Sequence, residues 1–270
     1  MIKKISIDSK HNPRLKELKK LQEKKHRVEE GKYLVEGFRL LEEAFKAGKK
    51  VFTVIYDREK EEHFNQYILP YLNDEEVIVS SHEVLKELTK TMNPQGVAGI
   101  LSMEQGTEDM HFALDQKTSL FVYLDGLQDP GNLGTIMRSA HAAGASGILF
   151  GKNTVDPYGD KVIRSSMGSI FHIPLFLEGE KVLEELVQKG FKIAVTSLAA
   201  ERNLFHENLK GNLVIVIGNE GSGISKELEE KGDILLKIPM PGGAESLNAA
   251  VAASIVLFER VRQLEDSNGN

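Results

Sequence analysis

In the second half of the chain, short apolar runs alternate with stretches of helical character, and this alternation limits the folds that the chain can adopt. Each run is almost continuously apolar, which is typical of strands covered on both faces. Strands separated by helices form mostly parallel sheets, because a parallel connection needs a long crossover. We therefore predict a doubly covered α/β domain over residues 119–264. Its expected strands are Leu120–Leu124, Gly147–Phe150, Ile173–Phe176, Phe191–Val195, Leu213–Ile217 and Ile234–Ile238. Its expected helices are Leu133–Ala143, Asp160–Met167, Glu180–Lys189, Ser225–Lys231 and Ser246–Leu264.

The first part of the chain predicts a smaller α/β unit over residues 1–103. Asn12 followed by Pro13 indicates the start of a helix, because Asn caps a helix end and Pro suits the first turn. The polar residues 104–118 are interpreted as a linker and residues 265–270 as a frayed tail. The other expected elements of the unit are a helix from Gly37 to Ala47, a strand Val51–Tyr56, a helix Glu61–Leu72, a strand Glu76–Ser80, a helix His82–Thr91 and a strand Val97–Met103.

The composition excludes several classes of protein. The chain has 270 residues, which is enough for two domains with real cores. It has no cysteine, so disulfides, thiolate metal sites and cysteine nucleophiles are excluded. There is no H-E-x-x-H pattern and no dense His/Asp cluster, and we expect no metal. No apolar run reaches the roughly 18 residues of a membrane span, and the N-terminus lacks the apolar core of a signal peptide. We therefore expect a cytoplasmic protein without a membrane partner.

Charge is distributed unevenly along the chain. The net charge is −6, but residues 1–32 carry eleven Lys and Arg against five Asp and Glu, a local charge of +6. A basic segment on an acidic body can mark contact with a polyanion. The plainer alternative is a solvated helix face, and for a charge run alone that alternative is favoured.

Three short segments of the second half carry most of the reactive polar residues. They are NLGTIMR (Asn132–Arg138), VIGNEGSGIS (Val216–Ser225) and IPMPGGAESLNAAVA (Ile238–Ala252). Ligands of open α/β sheets gather at the carboxyl ends of strands, where the last two segments begin. The single G-x-G lacks the third glycine of a dinucleotide fingerprint, and no P-loop or G-x-S-x-G elbow is present. Common dinucleotide, nucleoside triphosphate and serine hydrolase sites are therefore rejected.

Each polar residue in these segments also has a structural interpretation. Asn132 and Ser246 are each suited to cap a helix. Glu220 could pair with Arg138, bind a ligand, or favour a helix start through its charge. Glycines on both sides of Glu220 favour the close approach of a ligand. Arg138 could serve a site or lie on the surface, and its spacing leaves both possibilities open.

Together the three segments resemble the SpoU/TrmH family of RNA ribose 2′-O-methyltransferases, within the SPOUT superfamily. The family motif N-x-G-x-x-x-R is matched by Asn132, Gly134 and Arg138. The motif G-x-E-G-x-G is matched over Gly218–Gly223, and I-P-M-x-G…S-L-N-x-x-x-A over Ile238–Ala252. Three modest motifs in one order are far more specific than any one of them. The residues before them resemble, less closely, the small α/β RNA-binding domain of the family, which has a fold like certain RNA-binding ribosomal proteins.

The resemblance implies an unusual fold and a defined chemistry. The second domain should contain a deep trefoil knot within Phe191–Val251, bind S-adenosylmethionine and form a homodimer. The implied cofactor contacts are Thr196, Ser197, Leu198, Gly218, Asn219, Ile238, Met240, Leu247 and Asn248. Arg138 is implied as the group that activates the ribose 2′-OH. The residues implied to orient the reacting groups are Asn132, Glu220, Ser246 and Asn248.

The implied substrate is a structured RNA, and a 23S-type ribosomal RNA is preferred because a separate RNA-binding domain fits relatives that act on ribosomal RNA. Transfer RNA is the alternative substrate. A non-catalytic RNA-binding or ribosome-assembly protein and an unrelated Rossmann-like enzyme are the competing classes. The expected RNA contacts are Arg14, Lys19, Lys20, Lys161 and Arg164.

Overall fold

The computed structural model describes residues 4–104, 118–197 and 200–268. The chain divides into two compact units, of which the first spans residues 1–104 together with 158–171 and the second spans 105–157 together with 172–270. The segment Tyr158–Phe171, expected in the second domain, therefore groups with the first unit. The interior of the predicted linker and residues 269–270 of the predicted tail lie outside the described residues.

The first unit is built on a five-stranded mixed sheet in the order β1-β4-β3-β5-β2. Strands β1, β4 and β3 are parallel, whereas β5 pairs antiparallel with both β3 and β2. The strands are β1 Lys4–Ile7, β2 Lys32–Glu36, β3 Val51–Asp57, β4 Glu76–Ser80 and β5 Val97–Ser102. The helices are α1 Pro13–Lys19, α2 Lys24–Glu30, α3 Phe38–Lys46, α4 Glu61–Tyr67, α5 His82–Thr89 and, from later in the chain, α7 Asp160–Ser165.

The second unit is built on a six-stranded sheet in the order β11-β9-β10-β6-β7-β8, and all of its pairings are parallel. This confirms the parallel sheet predicted from the apolar runs. The strands are β6 Leu120–Asp125, β7 Gly147–Phe150, β8 Leu175–Phe176, β9 Lys192–Thr196, β10 Leu213–Gly218 and β11 Ile234–Leu236. The helices are α6 Pro130–Ala142, α8 Gly179–Gln188, α9 Lys226–Glu230 and α10 Ala249–Asn268.

Two helix starts differ from the prediction by three residues, and both lie in the motif segments. Helix α6 begins at Pro130, because the side chain of Asp129 accepts a hydrogen bond from the Asn132 amide at 2.8 Å and so caps the helix. Helix α10 begins at Ala249, and Asn248 is its cap. The predicted caps Asn132 and Ser246 are therefore wrong, and both side chains are available for other roles. By contrast, Asn12 caps α1 as predicted, at 2.8 Å from the Arg14 amide.

Helices α6 and α10 lie against each other in the second unit. The hydroxyls of Ser139 and Ser254 are 2.7 Å apart across this contact. Small residues on both helices permit such a close approach. Among the helices of the described residues, none combines the length and the apolar character needed to cross a lipid bilayer.

Candidate active site

A cavity of about 630 Å³ lies at the carboxyl ends of β9, β10 and β11. Its walls come from the end of β9, the loop after β10, and the segment between β11 and α10. The loop after β10 and the segment between β11 and α10 belong to two of the three motif segments. The predicted cofactor residues that line the cavity are Thr196, Ser197, Gly218, Asn219, Ile238, Met240, Leu247 and Asn248. The remaining predicted cofactor residue, Leu198, lies outside the described residues.

The loop after β10 is closed by its own backbone and by one side chain. Asn219 and Gly223 exchange two backbone hydrogen bonds, of 2.9 and 3.0 Å. The Asn219 side chain accepts hydrogen bonds from the amides of Gly221 and Ser222, and it donates to the Gly126 carbonyl. Both ends of this amide are therefore used within the protein. The predicted cofactor residue Asn219 thus also builds the cavity wall.

Gly218 is fixed by a close backbone contact. A Cβ atom at this position would lie 2.4 Å from the carbonyl carbon of Gly223 and 2.6 Å from the nitrogen of Ile224. Only glycine fits where two backbone segments approach so closely. Gly223 adopts a φ of 71°, a conformation that favours glycine. Both glycines thus serve the fold of the loop itself, which accounts for this part of the motif without invoking a ligand.

Glu220 holds the start of helix α6. Its carboxylate accepts hydrogen bonds from the amides of Gln128 and Asp129, at 3.1 and 3.0 Å, and from the Asn132 side chain at 3.0 Å. Burial acts to raise the pKa of this carboxyl, but the hydrogen bonds from Asn132 and the backbone together outweigh it and lower the pKa. The described residues contain no ion pair between Glu220 and Arg138, so that predicted alternative is wrong.

A chain of side-chain hydrogen bonds connects the three motifs. Asn132 donates to Glu220 at 3.0 Å and accepts from the Asn248 side chain at 2.8 Å. The Asn248 oxygen in turn accepts from the amides of Ala250 and Val251, at the start of α10. Because a carboxylate can only accept, the orientation of each amide along this chain is fixed in one direction. One residue from each motif is thereby held in a single arrangement beside the cavity.

The hydrogen-bond chain from Glu220 to Asn248 predicts that Asn248→Asp affects activity much more than thermal stability. The aspartate can still cap α10, but it cannot donate to Asn132, and it places a negative charge against the Asn132 oxygen. We expect Tm to change by less than about 3 °C, while the methyl transfer that the family resemblance implies falls roughly tenfold or more. The measurement compares thermal unfolding with single-turnover transfer. A variant with normal transfer would show that the bond between Asn132 and Asn248 is dispensable.

The lowered pKa of Glu220 gives a pH prediction. A carboxyl whose pKa is lower in the folded chain stabilises the fold above the unfolded value of about 4.3, and this contribution is lost as the pH falls through the folded value. The side chain is largely exposed, so the effect is small. We expect Glu220→Gln to lower Tm by about 2–4 °C at pH 6, and we expect this difference to shrink as the pH falls below about 4. A difference in Tm that does not vary with pH would contradict this.

Arg138 and Ser246 have no structural task within the described residues. Arg138 is exposed on α6 and has no hydrogen-bond or ion-pair partner there. Ser246 is exposed at the cavity and is not a helix cap. Side chains without a structural partner are available to bind a substrate.

The predicted RNA contacts lie in the first unit, and most of them are engaged in ion pairs. Arg14 contacts Glu76 and Glu17, Lys19 contacts Glu87 at 2.5 Å, and Arg164 contacts Asp160 at 2.7 Å. Lys161 also has a partner, whereas Lys20 is exposed and has none among the described residues.

Several residues of the site were not predicted from the sequence. Gln128 and Asp129 supply the amides that bind Glu220, and Gly126 accepts from Asn219. The pair Asp129-Pro130 did carry a signal, because Asp followed by Pro is a cap followed by a first-turn residue. The other lining residues are Ile217, Gly221, Ser222, Gly223, Ile224, Leu236, Glu245, Ala249 and Ala252. No group of three or more His, Asp or Glu suited to a metal ion occurs within the described ranges.

A parallel α/β sheet with a ligand-sized cavity at its carboxyl edge, joined to a separate basic unit, defines a two-domain ligand-binding α/β protein. The SpoU rRNA methylase family matches residues 119–258, and an MRM3-like substrate-binding domain matches residues 12–99. The chain belongs to the SpoU rRNA methylase family.

Relatives that match most of the chain agree with this assignment. The 23S rRNA (guanosine(2553)-2′-O)-methyltransferase RlmP of Bacillus subtilis is 34% identical over 259 residues, which cover 93% of this chain and 97% of that protein. The crystal structure of an AdoMet-bound rRNA methyltransferase from Sinorhizobium meliloti has a TM-score of 0.85 at 33% identity, covering 97% of this chain and 98% of the other. The SpoU methyltransferase AviRb of Streptomyces viridochromogenes, solved with AdoMet, has a TM-score of 0.84 at 30% identity, covering 94% and 98%.

Proposed function

We propose that this protein methylates a ribose 2′-OH in ribosomal RNA of the 23S type, with S-adenosylmethionine as the methyl donor. The hydrogen-bond chain from Glu220 through Asn132 to Asn248 carries the proposal, since it joins one residue of each family motif, and two of the three, Glu220 and Asn248, line the cavity. The named activities of the relatives support the same reaction. Because the substrate is a cellular RNA, we also propose a cytoplasmic location.

The residues of the cavity fit S-adenosylmethionine. Its volume of about 630 Å³ lies within the range of small-molecule sites, which are mostly apolar with a few polar groups. Ile238, Met240 and Leu247 offer apolar surface for a base, and Thr196 offers a hydroxyl, whereas the Ser197 hydroxyl already donates to Glu229 at 2.5 Å. The backbone of Gly218 and Asn219 would also contact the ligand. When bound, the cofactor supplies an electrophilic methyl group on a sulfonium.

The protein has to position the ribose hydroxyl and assist the loss of its proton. Positioning by Asn132, Glu220, Ser246 and Asn248 supplies much of the rate in such a transfer. Arg138 is the proposed activating group, and because it has no partner within the described residues the guanidinium is available. A guanidinium is normally always protonated, which makes it an awkward base. The other route is a bidentate clamp on a substrate phosphate that accepts the proton, and Arg138 is needed in both.

We propose that the second unit contains the trefoil knot within Phe191–Val251. The support is a close pairing of two chain segments far apart in the sequence. Ser197 donates to Leu236, Lys237 donates to Arg202, and Leu204 donates to Lys237 along the backbone. The segment after β9 therefore runs beside the end of β11, as a chain crossing requires. True knots are rare among folds, and this family is one of the exceptions.

A homodimer is also proposed, and helix α10 supports it. Val251 and Phe258 lie two turns apart on one face of this helix and remain 47% and 48% exposed. Exposed apolar side chains that share a face are typical of a contact with another chain. A symmetric pair of chains would cover this face, and the dimer would carry two copies of the basic segment 1–32 for contact with RNA.

We propose that the first unit contacts the RNA, as the match to a substrate-binding domain over residues 12–99 supports. Among the five proposed contacts, Lys20 is the one with no competing partner in the described part of the chain, so it is the best suited of them to a phosphate. The other proposed contacts are Arg14, Lys19, Lys161 and Arg164. Their ion pairs would have to open or to share their charge with the phosphate.

Transfer of labelled methyl groups to fractionated RNA tests the proposed substrate. Purified protein and tritiated S-adenosylmethionine are incubated with total RNA from cells that lack this gene. We expect label in the large ribosomal RNA. Label confined to the transfer RNA fraction would make transfer RNA the substrate. No label in any RNA, with cofactor binding intact, would favour the non-catalytic RNA-binding protein.

A further inference from the structure

The cavity of the second unit is lined by negative charge alone. Among the described residues that line it, Glu220 and Glu245 are charged, and there is no Lys, Arg or His. The two neighbouring residues outside the described part, Leu198 and Ala199, are neutral. A partly enclosed site with charges of one sign concentrates the opposite sign. The cavity therefore favours a positively charged ligand.

The two carboxylates differ in how far their charge is already compensated. Glu220 accepts hydrogen bonds from Gln128, Asp129 and Asn132. Glu245 is exposed in the segment between β11 and α10, and it has no hydrogen-bond or ion-pair partner within the described residues. Its full charge thus faces the cavity and the solvent. Glu245 is the group best able to respond to the charge of a bound ligand.

We propose that Glu245 makes the site prefer S-adenosylmethionine over S-adenosylhomocysteine, the product that remains after transfer. This inference rests on the proposed function. In the reaction the bond from sulfur to the methyl carbon breaks, its electron pair stays on sulfur, and the ribose oxygen bonds the methyl carbon as it loses its proton. The ligand thereby loses one positive charge. The attraction to Glu245 falls at the same step, which favours release of the product.

The size of the effect follows from the attraction between two unit charges. At a separation of about 7 Å and an effective permittivity of about 40, this attraction corresponds to roughly a sevenfold change in affinity. The cavity is open to solvent, so added salt should weaken the attraction. A contact to a part common to both ligands, such as a ribose hydroxyl, would instead change both affinities equally.

Calorimetric titration with three ligands separates these possibilities. S-adenosylmethionine carries a sulfonium, sinefungin carries a protonated amine in its place, and S-adenosylhomocysteine carries a neutral sulfur. For Glu245→Gln in the full chain, we expect about five- to tenfold weaker binding of the first two ligands at low salt, and less than a twofold change for the third. The differences should shrink at about 0.5 M salt. Glu245→Asp should keep most of the preference.

Glu230→Gln is the matched control, because Glu230 is exposed in the same unit and does not line the cavity. It should leave all three affinities unchanged. Equal weakening of all three ligands by Glu245→Gln, or no change in any of them, would overturn the proposal while leaving the methyl-donor assignment intact. Failure of the wild-type chain to bind any of the three would overturn the proposed function itself.

Discussion

Arg138→Ala should reduce methyl transfer about a thousandfold while it leaves cofactor affinity and stability nearly unchanged. Activation of a hydroxyl by a positioned group typically contributes a factor of about 10² to 10⁴. Arg138 is exposed and has no partner within the described residues, so its removal breaks no contact of the folded chain. We expect a change in the free energy of unfolding of no more than about 0.5 kcal/mol. Single-turnover transfer, calorimetric cofactor binding and thermal unfolding measure the three quantities.

Two further variants sharpen this test. Arg138→Lys keeps the charge but loses the planar fork that binds a phosphate through two bonds. If Arg138 clamps a phosphate, the lysine variant should recover only a small part of the activity. Lys189→Ala removes an exposed cation elsewhere in the same unit and should leave transfer unchanged. Transfer by Arg138→Ala within about threefold of wild type would exclude this arginine as the activating group.

Gly218→Ala should greatly weaken cofactor binding, because it disrupts the loop that forms one wall of the cavity. The added methyl group would meet the backbone of Gly223 at 2.4 Å, and backbone atoms cannot move aside as a flexible side chain can. Overpacking of this kind costs about 1–3 kcal/mol of stability. The shifted loop would also displace Asn219 and Glu220. We expect cofactor affinity to fall about a hundredfold or more, as measured by calorimetry.

Gly221→Ala is the matched control for this variant. A Cβ atom at Gly221 would meet the Asn219 oxygen at 3.5 Å, which is an ordinary contact, and its φ is not in the left-handed region. This variant should bind the cofactor within about threefold of wild type. If Gly218→Ala binds the cofactor as well as Gly221→Ala does, the loop tolerates the added methyl group. The close packing at Gly218 is then not what maintains the cavity.

The parallel sheet of the second unit could be predicted because a strand buried on both faces is almost continuously apolar. Strands β6, β7 and β10 were located to within one residue for this reason. Strands β1 and β2 of the first unit were missed. Both lie at sheet edges, where charged residues are tolerated, and both contain lysine. Their patterns therefore resemble those of a polar connection.

Motif residues of the candidate site could be predicted from the sequence, but the hydrogen bonds between them could not. Motif spacing indicated Asn132, Glu220 and Asn248, but the hydrogen bonds between them join residues 88 and 116 positions apart. No local rule relates residues at such separations. The helix caps were misassigned because Asp129 and Asn132, and likewise Ser246 and Asn248, are all residue types that cap helices well. Only the fold decides which of them performs that role.

The position of the transferred methyl group tests most directly whether this protein is a ribose 2′-O-methyltransferase that depends on Arg138. Ribosomal RNA from cells that lack this gene is treated with the purified protein and S-adenosylmethionine carrying a trideuterated methyl group, then digested to nucleosides and measured by mass spectrometry. We expect one 2′-O-methylated nucleoside with the label on the ribose fragment, and we expect it to be absent when Arg138→Ala replaces the wild type. Label on a base, or a labelled ribose that forms equally well with Arg138→Ala, would contradict it.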